Sequence, residues 1–131
     1  MKTSLTVMAL AVLATAGLAF ADTDPSFPDI SQKDVQAAIH SHKAVLLDCN
    51  GSKSYHKGHI PGAIDFQANK DRLAKLLPSN KSEMIITYCG GPACHAYRNG
   101  AKEAAALGYL NIRHFSGGIS GWESSKLPVS Q

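Results

Sequence analysis

Two uninterrupted apolar runs stand out along the chain: "AVLLDC", closing on Asp48, and "MIITYC", built around Ile85 and Ile86. Apolar runs without alternation mark strands covered on both faces, so both predict central strands of a parallel sheet. Ahead of them, "SQKDVQAAIHSH" brings Val35, Ala38, Ile39 and His42 toward one side, with Ser31 placed to cap and Asp34 at the third helical position. That spacing predicts an amphipathic helix. Between the two runs lie the turn-rich "NGSKSYHKGHIPG", a short strand "AIDF", and a helix around "NKDRLAKLLP" in which Leu73, Leu76 and Leu77 share a face and Pro78 marks the exit. The last third predicts a helix over "AKEAAALG" stopped by Gly108, a strand "NIRHF", a Gly117-Gly118 turn and a short segment carrying Trp122. Helices alternating with short apolar strands predict an α/β domain with helices on both faces of the sheet.

The first residues follow a different pattern. After Met1 and Lys2, "TSLTVMALAVLATAGLAFA" carries no charge, ends in Ala19-Phe20-Ala21, and gives way to the acidic "DTDPSFPD". A basic start, an apolar middle and small residues at minus three and minus one describe a secretory signal peptide over residues 1–21, cleaved before Asp22. An uncleaved membrane anchor is the competing reading, since about 20 apolar residues span a bilayer. With cleavage, residues 22–131 form one domain in the periplasm or outside the cell, with no membrane association.

Charge narrows the partners. Loss of Lys2 with the leader lowers the formal charge from +3 to +2, and the lysines are scattered, which gives no footprint for nucleic acid or an anionic membrane. The three cysteines are too few for a disulfide scaffold and odd in number, so in an oxidising compartment at least one thiol is left over for chemistry.

One of these cysteines has special surroundings. Cys89 directly follows the "MIITY" strand, at the sheet edge where α/β proteins bind ligands, and leads into Gly90-Gly91-Pro92-Ala93-Cys94-His95. The two glycines allow a sharp turn that brings backbone N–H groups inward, and the helix that follows adds its positive end, which together predict an anion cradle around an accessible thiolate. The alternative, a small buried hydrophobe, is the ordinary state of a free cysteine. The Gly-Gly-Pro loop before a helix weighs against it.

Two longer stretches resemble the rhodanese family. "LLDCNGSKSYHKGHIPGAIDF" is similar to its first signature, in which an aspartate ends a strand and a Gly-His-Ile-Pro-Gly-Ala run follows a short helix. "IITYCGGPACHAYRNGAKEAAALGYLNIRHFSGGISGW" is similar to its active-site half, with Tyr-Cys after a strand, a helix ending in Gly-Tyr, and a closing Gly-Gly-x-x-x-Trp. They occur in order and cover nearly all of residues 22–131. The resemblance implies a rhodanese-like three-layer domain with a central, mainly parallel sheet flanked by helices. It implies a single-domain sulfurtransferase without a cofactor: Cys89 takes a sulfane sulfur from thiosulfate, polysulfide or a persulfide, carries it as a persulfide, and passes it to a thiol or cyanide. Gly90, Gly91, Ala93, Cys94 and His95 then form the persulfide cradle. The chain departs from the common pattern in having Asn50 where many relatives carry arginine, a longer active loop, and Cys94 and His95 in that loop. Phosphatases and arsenate reductases on the same fold use a Cys-x5-Arg loop; here the sixth residue after Cys89 is His95, and Arg98 comes too late to supply the bidentate guanidinium.

The remaining candidates have supporting roles. As the resemblance implies, Asp48 holds loop backbone beside the site. His59 is a hydrogen-bonded residue of the Gly-His-Ile-Pro-Gly turn, Trp122 is core, and Cys49 is a buried thiol. Arg98 and His95 are either contacts for an anionic donor or solvated surface groups. His40, His42, His56 and His114 lack metal-ligand spacing with Cys89 or Cys94, so no metal is expected. Cys94 is either a resolving thiol that bonds reversibly to Cys89 or an unpaired residue that packs the loop, because a disulfide needs α-carbons within about 7 Å. The rival to an enzyme is a sulfur carrier or thiol-redox sensor that works through Cys89 and Cys94 and is read by a redox or sulfur-acceptor protein.

The leader makes one direct prediction: intact-mass analysis of protein recovered from a periplasmic fraction should find a chain beginning at Asp22. A chain retaining Met1 in the membrane fraction would contradict it.

Overall fold

The structure, a computed structural model, describes residues 26–131; the predicted leader and its cleavage site lie outside the described residues. Along the chain run α1 (Gln32–His40), β1 (Ala44–Asp48), α2 (Ser52–Lys57), β2 (Ile64–Asp65), α3 (Phe66–Asn69), a 3-10 turn (Lys70–Arg72), α4 (Leu73–Leu76), β3 (Met84–Tyr88), α5 (Tyr97–Ala106), β4 (Asn111–His114) and α6 (Gly118–Ser124). The four strands form one parallel sheet in the order β2-β1-β3-β4, with Asp48 of β1 opposite Asp65 on one side and Tyr88 on the other. The two apolar runs therefore are the central strands.

Period-2 alternation sorts the strand residues between two layers. Leu47, Ile85, Cys89 and Ile112 pack with Phe66, Leu73, Leu77, Tyr97, Ala101 and Ala104 under α3, α4 and α5. On the other face, Leu46, Ile86, Tyr88 and Phe115 pack with Val35 of α1 and Trp122 of α6. This alternation turns Tyr88 and Cys89, neighbours in sequence, toward opposite layers.

Local chemistry explains where the helices begin and end. Ser31 accepts the Asp34 N–H at 3.1 Å and so caps α1, while Val35 is its one fully buried residue. His42 does not continue the apolar face. It stands past the helix end at φ +53, with its N–H bonded to the Ile39 carbonyl and the next N–H, that of Lys43, bonded to Ala38, which satisfies the last carbonyls of the helix. The single helix expected over "NKDRLAKLLP" is instead α3, a 3-10 turn and α4. Asp65 caps α3 by accepting the Ala68 N–H at 3.2 Å, and Asn69 turns its side chain back to the Asp65 carbonyl at 2.8 Å, local bonds that compete with a continuous helix. Leu73 and Leu77 are buried but Leu76 is 40% exposed, because Leu77 leaves the helix in an extended conformation ahead of Pro78.

The helix expected from Ala101 begins four residues earlier, at Tyr97, and takes in Gly100. A Cβ on Gly100 would stand 2.7 Å from Cys49 Sγ, so the missing side chain sets how closely α5 lies on β1. Gly100→Ala should lower stability by about 1–3 kcal/mol through overpacking, more than the helix propensity it gains. Denaturant unfolding should find most of that loss recovered in Gly100→Ala/Cys49→Ala, where the new methyl takes the space of the sulfur. Strictly additive effects would contradict a shared contact.

Candidate active site

Cys89 is the first residue after β3 and is joined by a disulfide to Cys94, five residues on, with α-carbons 6.2 Å apart. Gly90, Gly91, Pro92 and Ala93 form the loop between them, and the Cys94 N–H donates to the Gly91 carbonyl at 3.0 Å. The sequence predicts an accessible thiol; with this bond closed Cys89 is only 1% exposed, because Cys94 and the layer under α5 cover it. Cys94 itself is half-buried, and Ala93 and His95 are exposed.

The loop is held from outside by α6. Ile119 donates its N–H to the Cys89 carbonyl at 2.9 Å, and Ser120 donates to the Gly90 carbonyl at 3.0 Å. In trans peptides the N–H points opposite to the C=O of the same unit, so these two bonds turn the N–H groups of Gly90 and Gly91 away from α6. Neither has an acceptor among the described residues, and the same is true of the N–H groups of Ala93, His95 and Ala96. The start of α5 likewise carries no side-chain cap. Unpaired backbone donors in the loop that carries the sulfur are of the kind that can stabilise negative charge.

This contact depends on Gly118. Its φ is +59, and a Cβ there would stand 2.5 Å from the Cys89 carbonyl oxygen, 2.7 Å from Gly91 N and 2.8 Å from Gly90 C. No side chain fits between α6 and the loop. Four residues on, Trp122 fixes α6 to the domain: its ring is buried edge-on to Phe115, with centroids 6.4 Å apart, and its Nε1–H donates to the Pro128 carbonyl at 2.8 Å.

Asp48, at the strand end next to Tyr88, and His59 each sit in a hydrogen-bonded frame. Asp48 accepts the Asn50 N–H at 2.8 Å and the Tyr88 hydroxyl at 2.7 Å, and that hydroxyl in turn accepts the Ile60 N–H at 3.0 Å. Burial pushes the Asp48 carboxyl above the usual carboxylate range, against the lowering effect of its hydrogen bonds. The Tyr88 hydroxyl is pushed far up by burial and by the neighbouring Asp48 charge, so it stays a neutral donor. His59 places Nδ1 2.9 Å from the Tyr55 carbonyl, stacks on the Tyr55 ring at 3.7 Å, and pairs its backbone with Ser130 in both directions.

Cys49 lies buried between β1 and α5, and burial pushes its thiol up to about 12, which keeps it protonated and poorly nucleophilic. Arg98 donates from Nε to the Tyr97 hydroxyl at 3.4 Å. Tyr97 also stacks on His114, with ring centroids 3.3 Å apart. Burial holds His114 below the usual imidazole range, helped by the nearby charges of Arg98 and His95 and opposed by Asp29. Among the described residues no group of three His, Cys, Asp or Glu side chains converges as a metal site would require.

The sequence reading missed Tyr88 as the bridge between Asp48 and Ile60, and Gly118, Ile119 and Ser120 as the clamp on the loop. Tyr88 carried a signal, as one of two hydroxyls, with Thr87, inside a strand that is otherwise apolar and buried. The clamp carried only the glycine pair, because its hydrogen bonds join residues thirty positions apart, Ile119 to Cys89 and Ser120 to Gly90.

Comparison with known proteins agrees with this architecture. The chain is 29% identical over 122 residues to the HTH-type transcriptional regulator Rv0324 of Mycobacterium tuberculosis, covering 91% of this chain and 52% of that protein. It thus spans about half the length of that relative, and only 25–30% of several other curated relatives that it matches. Among solved structures, BH2092 protein from Bacillus halodurans aligns with a TM-score of 0.56 at 30% identity, over 79% of this chain and 76% of that one. The rhodanese-like domain of Alr3790 protein from Anabaena aligns with a TM-score of 0.64 at 20% identity over 80% of both chains. The family model for the rhodanese-like domain matches residues 31–125, which hold every strand, all the buried core residues of both layers but Ile30, and the whole Cys89 loop, and the chain belongs to that family.

Proposed function

We propose that the chain is a periplasmic sulfurtransferase in which the Cys89 thiolate carries the sulfur. With the bond to Cys94 reduced, the thiolate attacks the outer sulfur of thiosulfate and displaces sulfite; polysulfide or a low-molecular-weight persulfide serves as donor in the same way. The Cys89 persulfide then gives its terminal sulfur to a thiol or cyanide. The observation that carries this reading is the loop itself: Cys89 lies at the carboxyl end of a central strand, beside N–H groups of Gly90 and Gly91 that have no acceptor among the described residues. Such donors favour the anion both before and after the sulfur arrives, and no separate base is needed. Cys49 is a poor rival because burial keeps it protonated. The leader, with Lys2 at its start, an uncharged apolar middle and Ala19-Phe20-Ala21 at its end, supports export.

A second reading, a sulfur carrier or thiol-redox sensor read by a partner protein, is favoured by the Cys89–Cys94 bond. Catalytic turnover separates the two. In thiosulfate-to-cyanide assays on reduced protein, thiocyanate formation should fall to the uncatalysed background in Cys89→Ser, whose hydroxyl is not ionised near neutral pH. Cys49→Ser and Cys94→Ser should keep at least about a tenth of wild-type turnover. Turnover that persists in Cys89→Ser would remove Cys89 from the reaction, and stoichiometric loading without turnover would favour the carrier.

A further inference from the structure

We propose that Cys94 resolves the Cys89 persulfide inside the loop, so that the chain also reduces sulfane sulfur to free sulfide at the expense of a dithiol. This inference rests on Cys89 as the sulfur carrier and names a second fate for the sulfur. The geometry points to it because the structure bonds Cys94 Sγ to Cys89 Sγ with α-carbons 6.2 Å apart, within the usual disulfide span of about 4.4–6.8 Å. The same two atoms are the attacking and attacked sulfurs of a resolving step. The α6 amides hold the Cys89 and Gly90 carbonyls, and the Cys94 N–H is held on the Gly91 carbonyl, so the approach needs no rearrangement of the strand end.

The step balances. Cys94 loses its proton and its sulfur attacks Cys89 Sγ; the bond between Cys89 and its outer sulfur breaks; the outer sulfur leaves as hydrosulfide with both electrons of that bond. The two cysteines are oxidised to the disulfide, and the sulfane sulfur is reduced. Attack on the outer sulfur would instead move the persulfide to Cys94, but the contact seen is with the inner atom.

Restoring the dithiol form requires an external dithiol, and the structure favours its entry at Cys94. Cys94 is half-buried whereas Cys89 is 1% exposed, so Cys94 is the cysteine of the pair nearer to solvent. Attack there expels Cys89 as the leaving thiolate, the one beside the unpaired loop amides, and a stabilised thiolate leaves faster. With thiosulfate as donor, the sum is one thiosulfate and one dithiol converted to sulfite, hydrosulfide, a disulfide and a proton.

The test is a single turnover without added thiol. Protein is fully reduced, freed of reductant, and mixed anaerobically with thiosulfate, and in parallel with polysulfide, while sulfide and intact mass are followed. With thiosulfate, wild type should release about one sulfide per chain as the Cys89–Cys94 disulfide forms. Cys94→Ser should gain one sulfur on the peptide containing Cys89 and release no sulfide. A wild type that keeps its added sulfur as Cys94→Ser does, with no sulfide released, would overturn the inference while leaving Cys89 as the carrier. Failure of both proteins to take up sulfur from either donor would overturn both readings. Because air oxidation closes the disulfide without releasing sulfide, the wild-type sulfide yield decides the matter even if Cys94→Ser is unstable.

Discussion

Two N–H groups at the start of α6, from Ile119 and Ser120, donate to the carbonyls of Cys89 and Gly90, and the shape of the reactive loop follows from these two bonds. They fix the carbonyls on one side and thereby turn the Gly90 and Gly91 amides to the other. The bonds form only because residue 118 has no side chain, since a Cβ would fall 2.5 Å from the Cys89 oxygen. Trp122 and Phe115 anchor α6 one turn later, which gives physical meaning to the glycine pair and tryptophan spaced along that segment. A sequence pattern far from the cysteine therefore acts on the cysteine.

The opposite side of the strand ends is held by a different kind of contact. Asp48 and Tyr88 face each other across the β1–β3 register, and their hydrogen bonds reach the Asn50 and Ile60 amides. All these polar groups are satisfied, so the cost of burying a carboxyl is offset by bonds that tie two loops to the sheet. The network is structural: its hydroxyl stays neutral and its carboxyl is committed to two donors. Cys49, next to Asp48, is removed from chemistry by burial against α5. The two cysteines at the ends of adjacent strands thus differ in setting: Cys49 is a free thiol packed against α5, whereas Cys89 is bonded to Cys94 in the loop held by α6.

Most of the architecture was legible because strong local signals agreed with one another. The unbroken apolar runs gave the central strands, Ser31 and Asp34 gave the start of α1, and the Gly-Gly-Pro stretch after "MIITY" gave the loop. The failures came where local side-chain bonds or long-range packing decided. Asp65 and Asn69 divided what periodicity read as one helix, and a left-handed end took His42 off the α1 face. The helix read over "AKEAAALG" starts earlier, at Tyr97, and tolerates Gly100 inside it, where the sulfur of Cys49 leaves no room for a side chain. Cys94 was visible as a loop cysteine, but whether its sulfur meets that of Cys89 depends on how α6 folds the loop, which spacing alone does not encode.

The dependence of the loop on α6 is tested most directly in Gly118→Ala, with sulfur transfer to cyanide and thermal unfolding measured on the same preparation. Alanine at a left-handed backbone costs about 1–2 kcal/mol and forces the loop off the α6 amides, while the central strands lie outside the affected contact. The expected result is a cooperative unfolding transition a few degrees lower, together with a loss of turnover of more than about tenfold, out of proportion to the lost stability. Wild-type turnover in a folded Gly118→Ala protein would contradict the claim that the contact between α6 and the loop prepares Cys89 for its chemistry.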